Sequence, residues 1–269
     1  MSDLVDDQGT VAGHRPDTVR RVVSLVPSLT EAVAATAPEL LVGATDWCTH
    51  PAGLDVFRVG GTKNPRVDDV VALGADLVVA NDEENRAEDI EAMRAAGLAV
   101  WVSGPRTLAG SFGSLRRMLA ACGLGSPSWL DQARRVWSNT YDGSAPRLTA
   151  VVPIWRRPWM VLGSATFAGD VLRQLGVANV YAGHAERYPR IGIDVLVSSG
   201  ADLVVLPDEP YRFTAEDGPQ AFPGLPVALV SGRHLTWYGP SLVEARDVLE
   251  AQLAAAGPSL APPSGASQR

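Results

Sequence analysis

Cysteine is scarce. Only Cys48 and Cys122 occur in 269 residues, too few for the disulfide framework of a small stapled scaffold. No run of 18 or more apolar residues exists, so no segment reads as a membrane-spanning helix. Basic residues are outnumbered, 23 Lys and Arg against 30 Asp and Glu, leaving a net charge of −7. Nucleic acid needs clustered positive charge, so that class of partner is excluded. A basic membrane-surface patch is excluded for the same reason. The opening stretch MSDLVDDQGTVAGHRPDTVRR has no apolar core and does not read as a secretory signal. Neither cysteine lies near it to carry a lipid. The expectation from these absences is a cytoplasmic protein, a monomer with no membrane insertion.

What is present is a repeat. The hexapeptide GADLVV occurs at 74–79 and again at 200–205, an offset of 126 residues. The same offset relates Asp68 to Asp194, Asp82 to Asp208, Glu83 to Glu209 and Arg86 to Arg212. Six identical residues with matching flanks point to two copies of one structural unit.

Each copy alternates short apolar, β-branched runs with helical patterns. Runs at 21–27, 40–45, 76–81 and 99–104 predict buried parallel strands, as do 148–155, 202–207 and 226–232. Ser28 and Glu31 fit a capping box that opens a helix over 29–37. Helical spacing recurs at 67–74, 86–97, 166–176 and 241–257, and a short helix ends within 195–200. Between the copies, 126–141 starts with Ser-Pro and reads as one stiff helix. The fold class is therefore α/β, with two Rossmann-like lobes of parallel sheet joined by a single rigid backbone helix. The expected divisions are a flexible segment 1–20, a lobe 21–105, a helical linker 106–145, a lobe 146–257 and a disordered tail 258–269.

In open parallel sheets, ligands bind beyond the carboxyl ends of the strands. The loops there read TDWCTHP (45–51), NDEENR (81–86), IWRRPW (154–159), PDEPYR (207–212) and GRHLTWYGP (232–240). They carry Trp47, Trp155, Trp159, Trp237, Tyr211 and Tyr238. Trp usually packs inside, so its concentration on loops points to the aromatic walls of a cleft for a large flat ligand. Cys48 and His50, with His234 from the second copy, are metal candidates, but Cys-x-His alone lacks the further ligands of a zinc motif. One imidazole, from His50 or His234, suffices for an axial bond to the metal of a tetrapyrrole. A Cys48 nucleophile with His50 as its base lacks a residue to orient the His. Asp82, Glu83 and Glu84 are paired carboxylates on one reading and helix-start charges on the other. Lys63 in GGTKNP is a candidate cation for an acidic ligand group. Asn81, Glu84, Asn85 and His234 are the candidate hydrogen-bonding residues.

The stretches RVVSLVPSLTEAVAA, LVGATDWCTHP, the run from Val59 to Val102 and RHLTWYGPSL, taken in order, resemble the cobalamin-type, helical-backbone class of periplasmic substrate-binding proteins of ABC importers. The resemblance spans roughly residues 20–255. It implies a non-enzymatic protein that binds a corrinoid, haem or iron chelate between two lobes, as ligand and with no cofactor required. It implies stacking aromatics at Trp47, at Trp155 or Trp159, and at Tyr188. It also implies one transporter-docking acid per lobe, here Asp68 and Asp194, with an importer permease as partner. Two features depart from that pattern: no export signal is evident, and both docking acids are Asp where Glu is usual. The alternatives are a cytoplasmic enzyme or cofactor-handling protein of corrinoid metabolism on the same scaffold, or a direct receptor for a metal ion.

Overall fold

The computed structural model describes residues 4–11, 13–138 and 145–257. The tail assigned to 258–269 lies outside them. By their contacts the residues fall into two compact units, Met1–Arg134 with Trp237–Val243, and Arg135–Thr236 with Glu244–Arg269.

The first unit is built on a five-stranded parallel sheet. Its strands are β1 (Val22–Ser24), β2 (Leu41–Ala44), β3 (Phe57–Arg58), β4 (Leu77–Asn81) and β5 (Val100–Ser103), in the order β3-β2-β1-β4-β5. Buried on both faces, β1, β4 and β5 read as unbroken apolar runs in sequence. The helices are α1 (Pro27–Ala34), α2 (Val67–Ala72), α3 (Ala87–Ala95) and α4 (Leu108–Ala121), and α5 (Ser128–Val136) begins in this unit and passes the division at Arg134. Leu77, Met93, Trp101, Leu115 and Met118 are fully buried. Truncating any of these to Ala should cost about 2–5 kcal/mol.

The second unit has a four-stranded parallel sheet. Its strands are β6 (Leu148–Val151), β9 (Val177–Asn179), β10 (Leu203–Pro207) and β11 (Val227–Val230), in the order β11-β10-β6-β9. A separate antiparallel hairpin joins β7 (Pro153–Trp155) to β8 (Met160–Val161). Its helices are α6 (Phe167–Gln174), α7 (Ile193–Val197), α8 (Gly232–Thr236) and α9 (Leu242–Ala255), the last beginning within the stretch that packs in the first unit.

The repeat is a structural one. GADLVV becomes β4 in one unit and β10 in the other, each preceded by a short helix. Both helices stop at glycines with positive φ, Gly74 at 58° and Gly200 at 76°, a conformation that side chains with a Cβ resist. The aspartate that follows ties the strand to its neighbour in both copies. Asp76 Oδ2 accepts from the Arg20 and Arg21 amides at 2.8 and 2.9 Å. Asp202 Oδ2 accepts from the Thr149 amide and hydroxyl, each at 2.8 Å. These contacts hold the Asp202 carboxyl below its usual range.

Several sequence expectations change. Residues 148–155 are not one strand. The chain breaks at Val152 and turns into the β7–β8 hairpin, with Arg157 at φ 71° in its bend. Ser28 is not a cap, because Pro27 already occupies the first helical position and Val26 stands at the cap without a side-chain bond. Side-chain caps occur instead at Thr107, for α4, and Thr166, for α6. The opening residues expected to be flexible form a clasp on the first unit. Asp6, 5% exposed, accepts from the amides of Gln8, Thr10 and Val102, while the Asp7 amide donates to Val102 O. The clasp satisfies the outer edge of β5, which would otherwise be an open edge strand. The expected linker 106–145 holds two helices. α4 packs on β5 in the first unit, while α5 covers the middle of the expected strut. Residues 139–144 of that linker lie outside the described residues. The stretch Trp237–Val243, expected in the second lobe, packs with the first.

Candidate functional site

In the first unit the loop after β2 carries TDWCTHP. Trp47 stands 67% exposed, His50 is exposed, and Cys48 is fully buried between them. The Cys48 Sγ lies 3.0 Å from Thr30 Oγ1 and 3.1 Å from Thr45 Oγ1. Burial pushes its thiol up, away from the thiolate that a nucleophile or metal ligand needs. Cys48 and His50 therefore do not share a site. Among the described residues, no group of three or more His, Cys, Asp or Glu is arranged to hold a metal ion.

The loop after β4 is organised by its asparagines. Asn81 Oδ1 accepts from the Glu83 and Glu84 amides at 2.7 and 3.0 Å, and its Nδ2 donates to the Tyr238 hydroxyl. Asn85 Oδ1 accepts from the Asn81 amide at 2.8 Å, and its Nδ2 donates to Thr62 O at 2.9 Å. Both are buried. Expected as ligand contacts, they spend their hydrogen bonds on holding the loop. Arg106, unnoticed in the sequence, pairs with Asp82 and, at 2.8 Å, with Glu83. Arg86 pairs instead with Glu88 and Asp89 at the start of α3. Lys63 is exposed and donates to Glu83 O. Glu84 is half-buried.

Trp237 and Tyr238 are only 7% and 6% exposed, so they pack in the first unit instead of facing solvent as pocket walls. The Trp237 ring lies 5.4 Å from that of His50 and at right angles to it. Burial, and then the charge of Glu84, raise the Tyr238 phenol well above its ordinary range.

In the second unit the hairpin builds an aromatic and charged cluster. Trp155 is 43% exposed and meets Tyr211 edge-on at 5.5 Å. Tyr211 donates to Asp217 Oδ2 at 2.6 Å, and Arg156 pairs with the same carboxylate. Arg156 also lies 5.5 Å from the centre of the Trp159 ring, within cation–π range. Trp159 stacks on Phe213 and meets Phe222 edge-on, so it belongs to the core more than to the surface. Arg156 lies in the loop IWRRPW but was given no role in sequence, and Asp217 stands outside the five loops. Tyr188 is half-buried between β9 and α7. His234 is fully engaged: Nδ1 lies 2.8 Å from Ser231 Oγ and Nε2 lies 3.1 Å from Glu244 Oε1. The His234 hydrogen bond, helped by Arg233, lowers the Glu244 carboxyl. Asp68 and Asp194 are exposed in the first turns of α2 and α7.

No family model matches the chain. A curated relative, the vitamin B12-binding protein of Vibrio parahaemolyticus, is 22% identical over 197 residues, 70% of either chain. The vitamin B12-binding protein of Vibrio vulnificus is also 22% identical, over 66% of this chain and 68% of that one. Among solved structures, the periplasmic vitamin B12 binding protein BtuF of Vibrio cholerae superposes with a TM-score of 0.68 at 17% identity, covering 88% of this chain and 97% of that one. The periplasmic heme-binding protein BhuT, in complex with two hemes, gives 0.70 at 23% identity over 90% and 99%. Helicobacter pylori CeuE with Ni(II) bound gives 0.77 at 14% identity over 95% and 90%. The resemblance to the helical-backbone periplasmic binding proteins is borne out, and the fold is theirs. These relatives are named for binding and not for catalysis, as expected of a non-enzyme. The cytoplasmic expectation is overturned, because the proteins that share this fold are periplasmic. It had rested on the composition of the opening residues.

Proposed function

We propose that this chain is a periplasmic, non-enzymatic binding protein for a flat metal-bearing ligand: a corrinoid, a tetrapyrrole or a metal chelate. The ligand is cargo, not a cofactor. The observation that carries the reading is the exposure of two indoles, Trp47 at 67% in the loop that follows β2 and Trp155 at 43% at the end of β7, in the hairpin that follows β6. Large apolar rings left in water at the position where α/β sheets bind ligands are costly unless something covers them. The names of the B12- and heme-binding relatives support the same ligand class. Titration with cyanocobalamin, haemin or a ferric catecholate, followed by tryptophan fluorescence, tests it. Quenching that saturates with at least one probe is expected, and Trp47→Ala or Trp155→Ala should weaken it about tenfold or more, the loss of an aromatic anchor at a hot spot. No quenching with any of the three overturns the reading.

The partner in this reading is the membrane permease of an ABC importer, docked through Asp68 and Asp194. Their exposure on short helices related by the repeat supports it. Asp68→Ala and Asp194→Ala should leave ligand affinity unchanged and abolish uptake of that ligand in cells. Undiminished uptake by the double variant removes the docking role.

A further inference from the structure

We infer that Arg58 is a positioning residue for ligand binding: its guanidinium fixes the loop that carries Trp47, so that the indole is held ready before the ligand arrives. The inference rests on the binding function proposed above and adds to it a residue that acts through the stacking face without touching the ligand.

The chain between β2 and β3 runs from Thr45 to Val56 and presents Trp47 at 67% exposure. A connection of that kind holds a side chain in place only where its backbone groups are tied down. Arg58 stands in β3, half-buried, and spends its guanidinium on that backbone. Its Nη1 donates to Thr45 O and to Cys48 O, each at 2.9 Å, and its Nη2 donates to Leu54 O at 3.0 Å. Thr45 and Cys48 bracket Trp47 in the chain, so carbonyls on both sides of the indole are held by one cation. Leu54 O ties the far end of the loop to the same group. A planar fork with several N–H donors suits carbonyls in fixed directions, and an ammonium on a flexible stem does not.

Other contacts make Arg58 a fixed point. β3 pairs with β2, Ala44 opposite Arg58, and Arg66 donates to Arg58 O while pairing with Asp69. Next to the indole in the chain, the Cys48 side chain is buried against Thr30 and Thr45. The Asp46 amide donates to Gly60 O at 2.8 Å, and Trp47 Nε1 lies 3.7 Å from where a Cβ on Gly61 would stand. The loop is therefore braced while the ring it carries faces water. Ordering a loop on binding costs free energy, and a loop ordered beforehand removes that cost.

Equilibrium dialysis with cyanocobalamin, haemin and a ferric catecholate tests this on the wild type, Arg58→Met, Trp47→Ala and the double variant. Arg58→Met keeps the stem and removes the donors. It should weaken binding of a probe that the wild type retains by about tenfold. In the Trp47→Ala background the same change should weaken it no further, because the ring that Arg58 positions is gone. An equal loss in both backgrounds overturns the inference, since Arg58 then supports the fold at large. Wild-type affinity in Arg58→Met overturns it as well. Either result leaves the binding function standing. Arg58→Lys keeps the charge but not the fork, and it carries the same cycle, with the same outcomes, should Arg58→Met fail to fold. If the wild type retains none of the three probes, the binding function itself falls and the inference with it.

Discussion

Cys48 and His50 stand two residues apart and meet different surroundings, one sealed among threonines, the other in water. Sequence spacing placed them together, but side-chain direction within a loop is set by what packs beneath it. Thr30 and Thr45, which enclose Cys48, come from α1 and the end of β2. A consequence is chemical silence. Cys48 is raised by burial, and Cys122 is pushed up to about 12. A thiol reagent such as Ellman's should label neither in the native protein and both after denaturation. Fast native labelling would contradict this placement. Tyr238 is a packing residue whose hydroxyl accepts from Asn81, so Tyr238→Phe should lower stability by about 1–2 kcal/mol in thermal or urea unfolding. Asp202 makes a pH-dependent contribution. Its carboxyl is lowered in the fold by the Thr149 bonds, so its stabilisation is present above the unfolded aspartate value of about 3.9 and is lost as pH falls through the folded value. Asp202→Ala should therefore cost stability at pH 7, by less than about 1 kcal/mol because the group is exposed, and the gap should close toward pH 3.

At the scale of elements, the long apolar strands were legible because a parallel strand buried on both faces leaves a continuous hydrophobic run. The β7–β8 hairpin was not, because strands of two or three residues fall below any periodicity. The same limit hid the exposure of the rings. Trp47 and Trp159 are both loop or hairpin residues in sequence, yet Trp159 stacks on Phe213 because that hairpin folds back against its sheet. Stacking partners more than fifty residues away carry no local signal. The clasp around Asp6 was read as flexible because short polar segments usually are, and its anchor, the edge of β5, exists only in the folded sheet. Asp6→Ala should release three backbone amides and destabilise the protein by about 2–3 kcal/mol by chemical denaturation. A change below a few tenths would mean that water replaces the carboxylate freely.

For the whole molecule, the 126-residue offset was the most informative signal, since it fixed two like units before any strand was placed. It could not show that the units exchange chain. The second unit is interrupted: the backbone leaves it after Thr236, contributes Trp237–Val243 to the first, and returns at Glu244. Trp237, Tyr238 and Leu242 fill the first unit's interior from more than a hundred residues away. His234 and Arg233 bind Glu244 across the excursion, tying its two ends. Scissors applied between α5 and β6 would thus yield no self-sufficient pieces. The amino-terminal fragment would fold around a vacancy, and only a supplied peptide bearing WYGPSLV could fill it. During synthesis, the earlier sheet must wait for nearly the last helix before its interior is complete.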